Sequence, residues 1–178
     1  MKKLIKVLSG MCIAGGMAVA SEPIQLSLTP EVAIHDRNTR IEGVALSIWG
    51  ENPQTALALG LVNGSTGKSA GLSWSWLLNY ADNYEGVHWG LINYTKGDFL
   101  GWQAGAVNYT EGSMKGLQSG FVNYTGNLNG LQFGFINYAE TAKTGVQIGL
   151  VNVIPSNSWF SGLPDQLAPG MVFINWRF

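Results

Sequence analysis

Residue types able to do acid–base or nucleophilic chemistry are scarce in this 178-residue chain. There are two histidines, His35 and His88, and one cysteine, Cys12. His35 stands in the run His35-Asp36-Arg37. A histidine beside a carboxylate at the rim of a lipid-facing protein could serve as a base, but it needs a nucleophile, and the sequence places none next to it. His88 belongs to a different series. It occupies the slot that Gln103, Gln118, Gln132 and Gln147 hold in later copies of a repeated phrase. Primary amides at a fixed spacing can donate to and accept from one another. They point to a polar column that either fills an interior or lines a narrow path. We expect no catalytic residue, no cofactor and no metal site. A rim-active lipid enzyme built on His35 is a remote alternative.

The phrase that positions these groups occurs five times. The copies are Gly86-Val-His-Trp-Gly-Leu-Ile-Asn-Tyr94, Gly101-Trp-Gln-Ala-Gly-Ala-Val-Asn-Tyr109, Gly116-Leu-Gln-Ser-Gly-Phe-Val-Asn-Tyr124, Gly130-Leu-Gln-Phe-Gly-Phe-Ile-Asn-Tyr138 and Gly145-Val-Gln-Ile-Gly-Leu-Val-Asn-Val153. A fixed period means one small unit copied and laid beside itself. Each unit alternates with period two, which is a strand signature. A helix is disfavoured, because the central glycine would cost about 1 kcal/mol in every copy. Those glycines are no phosphate loop either, since no helix follows them. Turn-like clusters such as Thr95-Lys96-Gly97-Asp98 separate the copies.

Strict alternation assigns Leu131, Phe133, Phe135 and Asn137 to one face, and Gln132, Gly134, Ile136 and Tyr138 to the other. The tyrosines thereby share the interior face with the glutamines. Decayed copies precede the clear ones, at 56–63 and 71–80. The second reads with inverted alternation, Leu72, Trp74, Trp76, Leu78 and Tyr80 forming its apolar face. Ten strands are expected, near 24–34, 42–49, 55–63, 71–80, 86–94, 100–109, 115–124, 130–138, 145–153 and 170–178.

The first 20 residues read as a signal peptide. Lys2, Lys3 and Lys6 precede a short apolar stretch, and Ala18-Val19-Ala20 offers a small-residue cleavage site. Residues 21–178 then form a single repeat-built β domain without cysteine, which excludes disulfides and thiolate chemistry. That domain has 7 basic and 11 acidic residues, a net charge of −4, so nucleic acid is not an expected partner. Only 12% of the whole chain is charged, against roughly 25% in ordinary soluble domains.

Two architectures suit a 14–15-residue β repeat. The main expectation is a small antiparallel up-and-down β-barrel of about ten strands in a bacterial outer membrane, each repeat giving one strand and one turn. The alternative is a secreted β-solenoid binding module, each repeat giving one coil with parallel side-chain ladders. The apparent inversion at 71–80 favours the barrel, as a hairpin absorbs it and a stacked ladder does not. The chain also ends on Val172, Ile174, Trp176 and Phe178, alternating with other residues. This resembles the C-terminal assembly signal of outer-membrane barrels, which implies outer-membrane lipid and the barrel-assembly machinery as partners. The Gly-x-Gln-x-Gly-x-x-Asn phrase, over 86–153 and weakly over 56–80, resembles the repeats of bacterial surface repeat-containing proteins. That resemblance implies export and a surface or envelope location, and brings no functional residue with it. Trp159 and Phe160, in the longest connection (154–168), are expected either to form a contact site for an extracellular partner or to fold down onto the rim.

Overall fold

A computed structural model describes residues 21–178, so the expected signal segment and Cys12 lie outside the described residues. Strands make up nearly the whole of it: β1 (Ser21–Thr29), β2 (Val32–Ala33), β3 (Arg40–Asn52), β4 (Thr55–Trp89), β5 (Ile92–Thr95), β6 (Phe99–Ala104), β7 (Val107–Val153) and β8 (Gly170–Arg177). β4 and β7 run for 35 and 47 residues. Ordinary strands have about 3–10 residues, so these two must wind through several coils. The result is a β-solenoid of about 7 turns, and the expected barrel is not formed.

Strand direction decides this. Tyr84 pairs with Phe99 and Phe99 with Met114, both in parallel register. Ile92 pairs with Val107 in the same sense. Hairpins make antiparallel pairs, whereas parallel neighbours need a long return path. Here that path is the rest of the coil, one repeat long. Among the named strands of the described residues, only β2 on β1 and β8 on β7 pair antiparallel, and both lie at the ends of the stack.

The inversion expected at 71–80 does not occur. Ser73, Ser75 and Asn79 point inward, while Trp74 and Trp76 point out. From Gly71 to Asn79 the chain has one residue more than in the matching stretch Gly86 to Asn93, although the two coils are equally long. The extra residue is taken up at a corner, where Trp76, Leu77 and Leu78 follow one another without a buried side chain. Register shows the same accommodation: the Cβ position of Gly86 abuts Gly71, fifteen residues back, whereas Asn79 pairs with Asn93, fourteen on.

The same corner explains how glutamine and asparagine reach one interior. In the coil 130–138 the side chains of Phe135 and Ile136 are both exposed in succession. Alternation therefore changes phase, and Gln132 and Asn137 are both fully buried despite their odd spacing. Two glycine columns permit the close stacking. Gly116 has φ +126, and a Cβ there would lie 2.1 Å from the carbonyl oxygen of Gly101. Gly134 leaves the space that Asn123 Nδ2 uses, 2.6 Å from a Cβ position. A second interior column stacks Tyr84, Phe99, Met114 and Leu128.

Both ends are closed. At the first coil, Gln25 Nε2 donates to His35 O (3.0 Å) and its Oε1 accepts from His35 N (3.1 Å), tying the 34–39 loop across the stack. At the last, β8 pairs with Gly145–Val153, and the 154–168 connection is anchored at its two ends by buried Ile154, Leu167 and Ala168. That connection is thus part of a cap and not an outer barrel loop. The assembly role expected for Val172, Ile174, Trp176 and Phe178 presupposes a barrel strand, whereas here the first three belong to the capping strand β8 and Phe178 follows its end.

Gly116→Ala should lower stability by about 3 kcal/mol or more, from a forbidden φ and a backbone clash. Gly170→Ala, with open space at its Cβ position, should leave the thermal unfolding midpoint within about 2 °C. Thermal melts followed by circular dichroism compare the two.

Candidate functional site

The groups with the most polar capacity are inside. Asn79, Asn93, Asn108, Asn123 and Asn137 each donate to the side-chain oxygen of the next asparagine at 2.8 Å, ending on Asn152. Asn63 begins the series with a longer bond of 3.4 Å. The second N–H of Asn93 and Asn108 goes to the carbonyls of Ala104 and Ser119, one coil on. The glutamines form a second ladder with the opposite sense. Gln147 donates to Gln132, Gln132 to Gln118 and Gln118 to Gln103, each at 2.8 Å. Their other N–H groups reach Val153 O, Tyr138 O and Tyr124 O. The expected polar column therefore exists, but it fills a solenoid core and lines no barrel lumen. Every member is 0% exposed, so it offers no path for a solute. The sequence singled out the glutamines and missed the asparagine ladder as their equal, because strict alternation put asparagine on the opposite face.

His88 interrupts the glutamine ladder. Its ring packs 4.1 Å from Tyr84 and 5.0 Å from Phe99, centroid to centroid. Neither ring nitrogen has a hydrogen-bond partner, nor does the buried Tyr84 hydroxyl. Gln103 donates instead to Thr95 Oγ1 at 3.1 Å. Burial depresses the His88 pKa to about 3, so the ring is neutral at ordinary pH. Sealed among aromatics, it touches nothing that could react. His35 lies at the opposite extreme, in the end cap, with its ring 4.0 Å from Glu22. Neighbouring Arg37 pairs with Glu51 and Glu31. The two histidines are not brought together, and no hydroxyl bonds to the His35 ring among the described residues.

The outside is the reverse of the inside. Among the described residues, 34 large apolar side chains are exposed, while 15 apolar residues are buried. Six of the seven tryptophans, Trp49, Trp74, Trp76, Trp89, Trp102 and Trp159, are among the exposed. Coil stacking lines them up. Leu26 pairs with Leu46, Leu46 with Leu59, and Trp102 with Leu117, and Ile148 meets Ile174 at the far end. An apolar groove of about 660 Å³ runs along the later coils, floored by Gly120 and Gly134 and walled by Phe121, Phe133, Phe135 and Leu150.

The tyrosines border this face from outside, which corrects the interior position expected for them. Tyr94, Tyr109, Tyr124 and Tyr138 are half-buried and stack ring on ring at 5.8, 4.4 and 5.5 Å. Tyr94 donates to Glu111 at 2.6 Å and Tyr124 to Glu140, so their hydroxyls face the charged side of the coil. The bond to Glu111 pushes the Tyr94 pKa up to about 12. Earlier in the stack Tyr80, which accepts from Trp49 Nε1 at 3.1 Å, donates to Glu51. Trp159 and Phe160 are 63% and 52% exposed and stand at the capped end, with rings 5.9 Å apart.

Fold and surface together define a β-solenoid with an amide-filled core and an aromatic exterior. No family model matches this chain, and no curated protein or solved structure does so either.

Asn108→Ala should cost about 2–4 kcal/mol, because it strands the buried amides of Asn93 and Asn123. Equilibrium denaturation measures this. His88→Gln should raise stability by about 1 kcal/mol at neutral pH by continuing the ladder. It should also change the acid response. The folded-state pKa of His88 is lowered, so only the unfolded chain takes up its proton below the ordinary value of 6.5. Stability from this group is complete above 6.5 and is lost as pH falls towards 3. Unfolding midpoints from pH 7 to 4 should therefore drop less steeply in the glutamine variant.

Proposed function

We propose that this chain is an exported, non-catalytic binding module. Its repeat builds a rigid wall, and the wall's uncharged aromatic face is the contact surface. One observation carries the reading: apolar side chains that would ordinarily fill a core are turned outward along the whole stack, while amides are turned in. The largest apolar patch of an ordinary soluble monomer covers about 300–600 Å², and larger ones mark interaction sites. Here the face follows about 7 coils. At ~4.8 Å per coil and ~3.3 Å per residue, six residues wide, it covers on the order of 700 Å² before counting the caps. Export is supported by the leader-like first 20 residues and a cysteine-free remainder. A surface or envelope location fits the resemblance of the repeat to bacterial surface repeats. Trp159 and Phe160 extend the contact surface at the capped end.

The folded, exported protein should bind an environment-sensitive apolar dye and retain its β-type circular dichroism. Phe121→Glu with Phe135→Glu should cut dye binding by roughly tenfold while leaving the spectrum in place. A folded monomer that takes up no dye would overturn the reading.

A further inference from the structure

The geometry points to a lipid bilayer as the surface that this face occupies, with the solenoid lying in the membrane–water interface and not spanning it. The inference rests on the binding-module reading above and names its partner.

Charge is the first argument. The segments 57–62, 72–78, 87–92, 102–107, 117–122, 131–136 and 146–151 contain no charged residue at all. Protein partners are recognised through a polar rim and roughly one hydrogen bond per 100–200 Å². This face offers few such groups, and Trp102 Nε1 already spends its donor on Ser119 Oγ at 2.8 Å. Hydrocarbon asks for none.

Shape is the second argument. The apolar surface is convex, because it turns the corner at which Phe135 and Ile136 both point outward. One flat side carries about five residues per coil, on the order of 550 Å² by the spacings used above. A standard interface buries about 800 Å² per partner, so a second copy on this flat side would make an interface at the small end of the range. A rigid second copy would cover one side and leave the other wet, whereas a fluid bilayer wraps a convex edge. Backbone demand does not oppose this, since the coil-to-coil ladders satisfy the polar groups beneath the face.

The border is the third argument. On one side of the corner the tyrosines stack ring on ring, two residues beyond the last apolar position of each coil, and Tyr94 and Tyr124 turn their hydroxyls to Glu111 and Glu140. Across the face, beyond its other margin, exposed Glu85 and Lys115 stand beside their coils' first glycines. Tyrosine and tryptophan gather where hydrocarbon meets water. The polar side of the solenoid is mixed in charge, so attraction to anionic lipid is not part of the mechanism.

The test floats the exported protein with zwitterionic phosphatidylcholine vesicles in a density gradient. Protein should rise with the vesicles equally at low and at 1 M salt, and tryptophan emission should shift to the blue. Brominated acyl chains should quench that emission. Phe121→Glu with Phe135→Glu should reduce flotation by roughly tenfold or more. Lys143→Glu, on the polar side, should leave it unchanged. Light scattering and dye binding separate the failures. A folded monomer that binds dye but never floats overturns the bilayer and leaves the binding module standing. A dimer that neither floats nor binds dye overturns the bilayer in favour of a second copy. A folded monomer that does neither overturns both.

Discussion

Side-chain amides stacked from coil to coil are the interaction on which the rest of this structure depends. A buried amide without partners costs a few kcal/mol, so a core made of asparagine and glutamine survives only when each group is satisfied. Repetition achieves this. Each coil presents the donor that the adjacent coil's acceptor needs, at 2.8 Å, through both ladders. Because asparagines donate forward along the chain and glutamines backward, the two columns of amide dipoles oppose one another. The unpaired Gln147 Oε1 at one end and the bare nitrogens of His88 at the other mark where repetition stops.

Close stacking makes the ladders possible and in turn fixes the glycines. Coils meet carbonyl to Cα, with room for no Cβ at Gly101, Gly116 or Gly130. The ends then need closing, since an open coil exposes a row of unpaired backbone groups. Gln25 and Asn52 stitch a loop over the first coil, and an antiparallel strand with a connection anchored by Ile154, Leu167 and Ala168 covers the last. Filling the interior with polar groups also leaves the apolar residues of each strand only one place to go.

Much of the candidate site was legible in the residues. Period-two alternation named the strands, and the recurring glutamines marked a column that the structure buries in a solenoid core instead of a barrel lumen. Other features were not legible, for identifiable reasons. Strict alternation puts Asn137 on the face opposite Gln132, because it runs through a corner that no local signal distinguishes from a continuing strand. The same rule puts Tyr94, Tyr109, Tyr124 and Tyr138 inside. The extra residue in 71–80 looked like an inversion, since a sequence cannot show that one surplus side chain is spent at a bend.

The sequence by itself determined an all-β chain, its repeat length and the alternation within each strand, because period and side-chain type are local properties. It also limited the chemistry, with two isolated histidines and no cysteine after residue 20. Tertiary structure alone decided that neighbouring repeats run parallel, and with that the choice of solenoid over barrel. Both architectures accept the same strand pattern and differ only in which distant backbone each strand meets. Tertiary structure also decided which face is inside. Amides that find identical amides one coil away are better buried than exposed, and that partner exists only once the coils are stacked.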